Sequence, residues 1–149
     1  MSISFPDKVR DEYLLTADET RISIATIYQW LSTEAYWAKG RSREALDRSI
    51  DNSYLYAVVS NDGRTVACAR MVTDHATFGW VTDVFVDAGH RGRGLGSWMV
   101  GEIVDYWTNV GVRRVLLATR DAHDVYAKVG FTSLAHPERM MEIDRRTPF

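Results

Sequence analysis

The chain has 149 residues and a formal net charge of −2, from 18 Lys+Arg against 20 Asp+Glu. That length predicts one domain, able to bury a core without disulfide staples or a structural metal. Apolar content of 46% with 26% charged residues excludes wholesale disorder. One cysteine, Cys68, excludes an intramolecular disulfide and a multi-cysteine zinc site, and fits a reducing compartment. The near-zero charge and the lack of a basic arm argue against nucleic-acid binding. No apolar run approaches the roughly 18–20 residues of a membrane span, and the first residues lack a signal-peptide pattern. A cytoplasmic protein is expected.

In chain order, a first strand is expected around Glu12–Thr16. Ile24, Ile27, Tyr28 and Leu31 then recur on one helical face. Ser42 is placed to cap a second helix carrying Leu46 and Ile50. Two strands, Tyr54–Ser60 and Arg64–Thr73, flank Asn61-Asp62-Gly63, a hairpin signal. A turn at Asp74–Thr77 leads into a long strand, Phe78–Val86. Leu95, Trp98, Met99, Ile103, Tyr106 and Val110 mark an amphipathic helix that Gly111 ends. Arg114–Thr119 reads as a strand buried on both faces, and Ala122–Val129 as a short helix closed by Gly130. Two further strands are expected between Phe131 and about Ile143, broken at His136-Pro137.

Four of the ten glycines, Gly89, Gly92, Gly94 and Gly96, fall between the strand ending at Val86 and the helix built on Leu95. Glycines let backbone N–H groups approach a ligand, and a helix N-terminus supplies unpaired donors and partial positive charge. Arg91 and Arg93 add two permanent cations suited to phosphate oxygens. The plainer alternative is a tight strand–helix connection with solvated arginines. A P-loop is excluded because no Lys-Ser/Thr follows these glycines. The G-x-G-x-x-G fingerprint also fails, since its last position falls on Ser97 or Met99.

Arg91-Gly92-Arg93-Gly94-Leu95-Gly96 instead fits R/Q-x-x-G-x-G/A, and Tyr126-Ala127-Lys128-Val129-Gly130-Phe131 fits Y-x-K-x-G-F. With Val84-Phe85-Val86 before the loop, these motifs resemble the GCN5-related N-acetyltransferase (GNAT) family in order and spacing. The resemblance implies a single α/β domain over residues 1–149. Its central mixed sheet of six to seven strands would be flanked by about four helices and splayed at the acyl-coenzyme A site. It implies acetyl-coenzyme A as cosubstrate and direct transfer of acetyl to the primary amine of a small molecule, amino acid or peptide. Homodimers are frequent in the family, which makes one an expectation here. The rival reading is a catalytically idle acyl-coenzyme A sensor that acts through a protein partner.

Carried over position by position, the resemblance assigns cofactor binding to the backbone of Val84, Phe85 and Val86. It extends that role to Arg91, Gly92, Arg93, Gly94, Leu95, Gly96 and Ser97 of the loop and helix start. Tyr126 is the expected general acid toward the departing thiolate, facing the sulfur. Asp83, the one carboxylate on its strand, is the expected base, with desolvation raising its pKa. Thr119 stands where the family often has an asparagine that holds the cofactor. On the acceptor side Tyr36 and Trp37 are expected to enclose the amine, followed by Lys39, Arg41 and Arg43, a basic group suited to an acceptor's carboxylate or phosphate. His123 and Cys68 read as structural residues. No metal is expected.

Overall fold

The computed structural model of the protein describes residues 4–146. A six-stranded sheet runs in the order β1 (Lys8–Arg10), β2 (Tyr13–Thr16), β3 (Tyr54–Ser60), β4 (Thr65–Thr73), β5 (Gly79–Val86) and β6 (Val115–Leu116). Every neighbouring pair is antiparallel except β5 and β6, which are parallel. Helices α1 (Ile24–Thr33) and α2 (Arg43–Asp51) connect β2 to β3. Helix α3 (Leu95–Asn109) makes the crossover from β5 to β6, and α4 (His123–Ala127) follows β6. The mixed α/β architecture is the expected one.

The local causes are visible at most element ends. Ser23 and Ser42 cap α1 and α2, each accepting a backbone N–H three residues on. Gly63, at φ +86°, closes the β3–β4 hairpin. Gly111, at φ +108°, follows α3. Two cores result. One faces α3 and gathers Leu15, Tyr56, Met71, Val81, Met99 and Trp107; the other faces α1 and α2 and gathers Ile27, Trp30, Leu46, Cys68 and Phe85. Within the first core the Trp107 indole N–H donates to the Tyr56 hydroxyl at 2.8 Å, so the two largest wholly buried side chains satisfy each other.

One irregularity governs the rest. On β4, Ala69 alone lies between Cys68 and Arg70, whereas Asp83 and Val84 both lie between their partners Phe85 and Thr82 on β5. That extra residue is a β-bulge, and Asp83 takes the left-handed conformation at φ +52°. A one-residue slip moves every later side chain to the other face of the sheet. Val81 accordingly packs toward α3, whereas Phe85, four residues on, packs toward α1 and α2.

Three expectations need correction. β1 precedes the strand expected first; its three residues are mostly exposed and too short to show a period. The strand expected over Arg114–Thr119 shrinks to Val115–Leu116, because β5 turns away at the bulge and the next residues find no ladder partner. The two strands expected after Phe131 are not formed within the described residues. Pro137 opens a short 3-10 turn there, and Met141 and Ile143 are 95% and 83% exposed.

Replacing Tyr56 by Phe leaves the buried Trp107 N–H without an acceptor. Urea unfolding should show a loss of about 1–3 kcal/mol with an unchanged m-value. An unaltered midpoint would mean that the bond contributes nothing.

Candidate active site

β5 and β6 pair only at Gly79–Val115 and Trp80–Leu116, and then diverge. The gap between Thr82–Val86 and Leu117–Ala122 opens into a cleft of about 1100 Å³. Along it the edge of β5 that faces β6 carries backbone amides free of ladder partners, available to an extended ligand.

One end of the cleft is the glycine loop. Gly92 and Gly94 sit at φ +80° and +74°, and Gly94 is the residue before α3. A side chain at Gly94 would be strained by that φ, and its Cβ would lie 3.3 Å from the Arg10 guanidinium. No side chain caps α3, and Leu95, Gly96 and Ser97 all line the cleft. Their amides are the unsatisfied first-turn donors of a 15-residue helix, a cradle for phosphate oxygens. Arg91 lines the cleft beside them, its Nε–H donating to the Val86 carbonyl at 2.9 Å while its guanidinium lies over the Phe85 ring. Arg93 does not join them. Its guanidinium turns to the β1–β2 hairpin, 3.3 Å from Glu12 Oε1 and 2.5 Å from the Tyr13 hydroxyl.

The opposite wall holds Tyr126, Thr119 and Tyr36. Tyr126 packs edge-on to Phe131 at 6.1 Å, and burial, then Tyr36 and Asp121, push its phenol pKa up. Its hydroxyl makes no hydrogen bond among the described residues. It therefore stays protonated and free to donate. The Thr119 hydroxyl accepts the Ala122 N–H at 3.0 Å, which forms the turn into α4 and leaves its proton for a ligand. The Tyr36 hydroxyl accepts the Arg120 N–H at 3.1 Å, with the Arg120 guanidinium 3.8 Å above its ring.

Asp83 is held unlike a free base. Its Oδ2 accepts from Arg41 Nη1 at 2.7 Å and from Arg70 Nε at 3.0 Å, and its Oδ1 accepts from the Trp37 indole at 2.9 Å. Only 5% of the residue is exposed. Burial alone would raise its pKa, as expected from the sequence. The Arg41 hydrogen bond, the charges of Arg70 and Arg41, and the Trp37 N–H outweigh burial and hold it below the ordinary value. Trp37 thus meets the sheet through Asp83, and Tyr36 packs edge-on against Trp37 at 5.0 Å. Arg70 escaped the sequence reading, although a bulged aspartate opposite an arginine-bearing strand is the signal for it.

An open α/β sheet splayed over a glycine loop, with a donor-rich helix start beside it, is an architecture shared with a GNAT-family protein of known structure. The chain belongs to the Acetyltransferase (GNAT) family, whose pattern matches residues 24–131. A GNAT-family protein of Xanthomonas campestris pv. campestris superposes at TM-score 0.82 with 38% identity, over 91% of this chain and 94% of that one. Glucosamine 6-phosphate N-acetyltransferase 1 of Oryza sativa subsp. japonica is 32% identical over 68% of this chain and 64% of its own length. A GNAT acetyltransferase of Elizabethkingia anophelis, crystallised with acetyl-coenzyme A bound, shares the fold at TM-score 0.64 and 16% identity, over 83% of this chain and 78% of that one.

Because Asp83 has a depressed pKa in the folded state, its contribution to stability is complete above the unfolded carboxylate range. It is lost only as pH falls through the lower folded value. Asp83→Asn should therefore cost about 3–5 kcal/mol at neutral pH, with the difference from the native chain shrinking in acid. Denaturation curves from pH 3 to 8 read this directly, and a cost that grew in acid would contradict the assignment.

Proposed function

We propose that the chain, as one acetyltransferase domain over residues 1–149, transfers acetyl from acetyl-coenzyme A to the primary amine of a small molecule, amino acid or peptide. The observation that carries this reading is the convergence, in one cleft, of three elements: the bare edge of β5, the uncapped start of α3 and the protonated Tyr126 phenol.

Leu95, Gly96 and Ser97 would donate to the pyrophosphate, with Arg91, Gly92 and Gly94 shaping that end, while Thr82–Val86 pair with the pantetheine amides. The acceptor nitrogen attacks the thioester carbonyl carbon, the carbon–sulfur bond breaks, and Tyr126 gives its proton to the departing thiolate. One proton of the ammonium leaves to water before the attack, and the proton that the nitrogen sheds as the amide forms restores the Tyr126 phenol. Asp83, paired with two arginines, holds Trp37 and Arg41 in place and takes no proton in this scheme. The name of the rice relative gives glucosamine 6-phosphate as its acceptor, itself a primary amine.

Coenzyme A at about 100 times its Kd should stabilise the protein by roughly 2.7 kcal/mol, read as a rise in Tm that NAD and ATP do not give. Tyr126→Phe should keep that rise while lowering kcat by about 100-fold. Equal rates in the variant and the native chain would remove Tyr126 from the chemistry. A coenzyme A shift without turnover on any amine would favour the sensor reading.

A further inference from the structure

We infer that the amine acceptor carries an anionic oxygen group, a carboxylate or a phosphate, which the free edge of the Arg41 guanidinium holds beside Trp37. This rests on the acetyl-transfer reading and deepens it by naming the class of acceptor.

The inference starts from a charge imbalance in a poorly hydrated place. Asp83, Arg41 and Arg70 form one cluster in which a single carboxylate faces two guanidinium groups. Their side chains are 3%, 23% and 12% exposed. Buried charges are normally matched, so the second cation calls for a reason. Arg70 already supplies what Asp83 needs: its Nε and Nη2 both lie 3.0 Å from Oδ2, and its Nη1–H donates to Ser53 Oγ at 3.3 Å. Arg70 is thereby spent. Arg41 gives Asp83 only one of its nitrogens, Nη1. Its Nε and Nη2 have no hydrogen-bond partner among the described residues, and the residue lines the cleft.

Two donors of one guanidinium, left open side by side, match the two oxygens of a carboxylate or phosphate. The other carboxylates lining the cleft, Glu34 and Asp121, are exposed, and neither is ion-paired with Arg41. Position separates this site from the phosphate cradle. Asp83 lies three residues before Val86 on β5, about 10 Å from the start of the glycine loop. An anion on Arg41 would therefore belong to the acceptor rather than to the cofactor's pyrophosphate. Asp83 fixes the guanidinium so that little freedom is lost on binding.

The test begins with coenzyme A-saturated protein, so that the glycine loop is already filled. Arginine side-chain nitrogen NMR is recorded while sodium acetate or inorganic phosphate is added, the two arms separating the carboxylate from the phosphate source. The Arg41 Nε signal, assigned by its loss in Arg41→Lys, should move with at least one anion. An Arg41 signal that stays fixed with both overturns the inference.

A kinetic arm compares β-alanine with β-alaninamide and phosphoethanolamine with ethanolamine. The anionic member of a pair should have a KM lower by about 10- to 100-fold. Arg41→Gln should erase that difference through KM rather than kcat, and Arg41→Lys should keep part of it. Preference for the neutral members, or an Arg41→Gln variant with unchanged discrimination, also overturns the inference. If none of these amines is acetylated, the NMR arm alone decides. Failure of coenzyme A to bind at all would instead sink the acetyl-transfer reading, which keeps the two claims apart.

Discussion

The bulge at Asp83 makes the cleft possible, and the carboxylate that it turns sideways joins the elements around it. With unbroken alternation, Asp83 would follow Val81 onto the face that packs against α3, an apolar layer with no partner for a charge. The extra residue moves it to the opposite face, where Arg70 of β4 and Trp37 and Arg41 of the α1–α2 connection converge on it. One side chain therefore fixes a strand, its neighbour and an inter-helix segment relative to one another. The same distortion rotates β5 away from β6, so the anchoring of the acceptor wall and the opening of the cleft share one cause.

That coupling makes Asp83 the carboxylate that holds Trp37, Arg41 and Arg70 together. A general base must hold its proton affinity near the working pH, whereas a carboxylate with three donors is stabilised as the anion. Burial by itself pushes a carboxyl toward useful basicity, and the strand context alone suggests that outcome. The arginines reverse the sign. Tyr126 shows the opposite balance: burial, then Tyr36 and Asp121, push its phenol pKa up, and it keeps its proton. The two polar groups that the motifs single out thus diverge in function because of their neighbours.

Much of the site was legible because it depends on local chain properties. The glycine loop, the helix start after it and the Tyr126–Phe131 segment each rest on contiguous residues whose spacing states the backbone geometry. Ser42 as a cap and Gly63 as a hairpin glycine were legible for the same reason. The bulge left no trace in the apolar pattern, since Trp80 and Val81 before it and Val84, Phe85 and Val86 after it are all apolar. The partners of Asp83 were less visible, since Trp37 and Arg70 lie 46 and 13 residues away in sequence and meet it only through the sheet. The position of Arg93 was hidden for a related reason: its motif position suggests phosphate, but its Nη1 is held by Glu12 and Tyr13, 81 and 80 residues earlier. The segment after Phe131 differs again: its apolar residues suit strands, but none of them pairs with a sheet edge among the described residues.

The competition for Arg93 and the incomplete use of Arg41 express the same rule with opposite results. A guanidinium offers five donors in a rigid fork, and what it can bind depends on how many of them the fold has already occupied. Arg93 is engaged through Nη1 by a hydroxyl and a carboxylate on the far side of the loop, so it tethers the β1–β2 hairpin to the cradle and does not line the cleft. Arg70 has each of its three nitrogens on Asp83 or Ser53 and serves to orient Asp83. Arg41 alone in that cluster is held by one nitrogen and open at the others, in a wall that also carries Tyr36 and Trp37. An acceptor that is purely apolar or cationic would leave those donors desolvated without an acceptor once the cleft closed around it, at a cost comparable to a lost buried hydrogen bond. The same geometry that holds Asp83 as a paired anion would, under the proposed reaction, give the acceptor wall its selectivity.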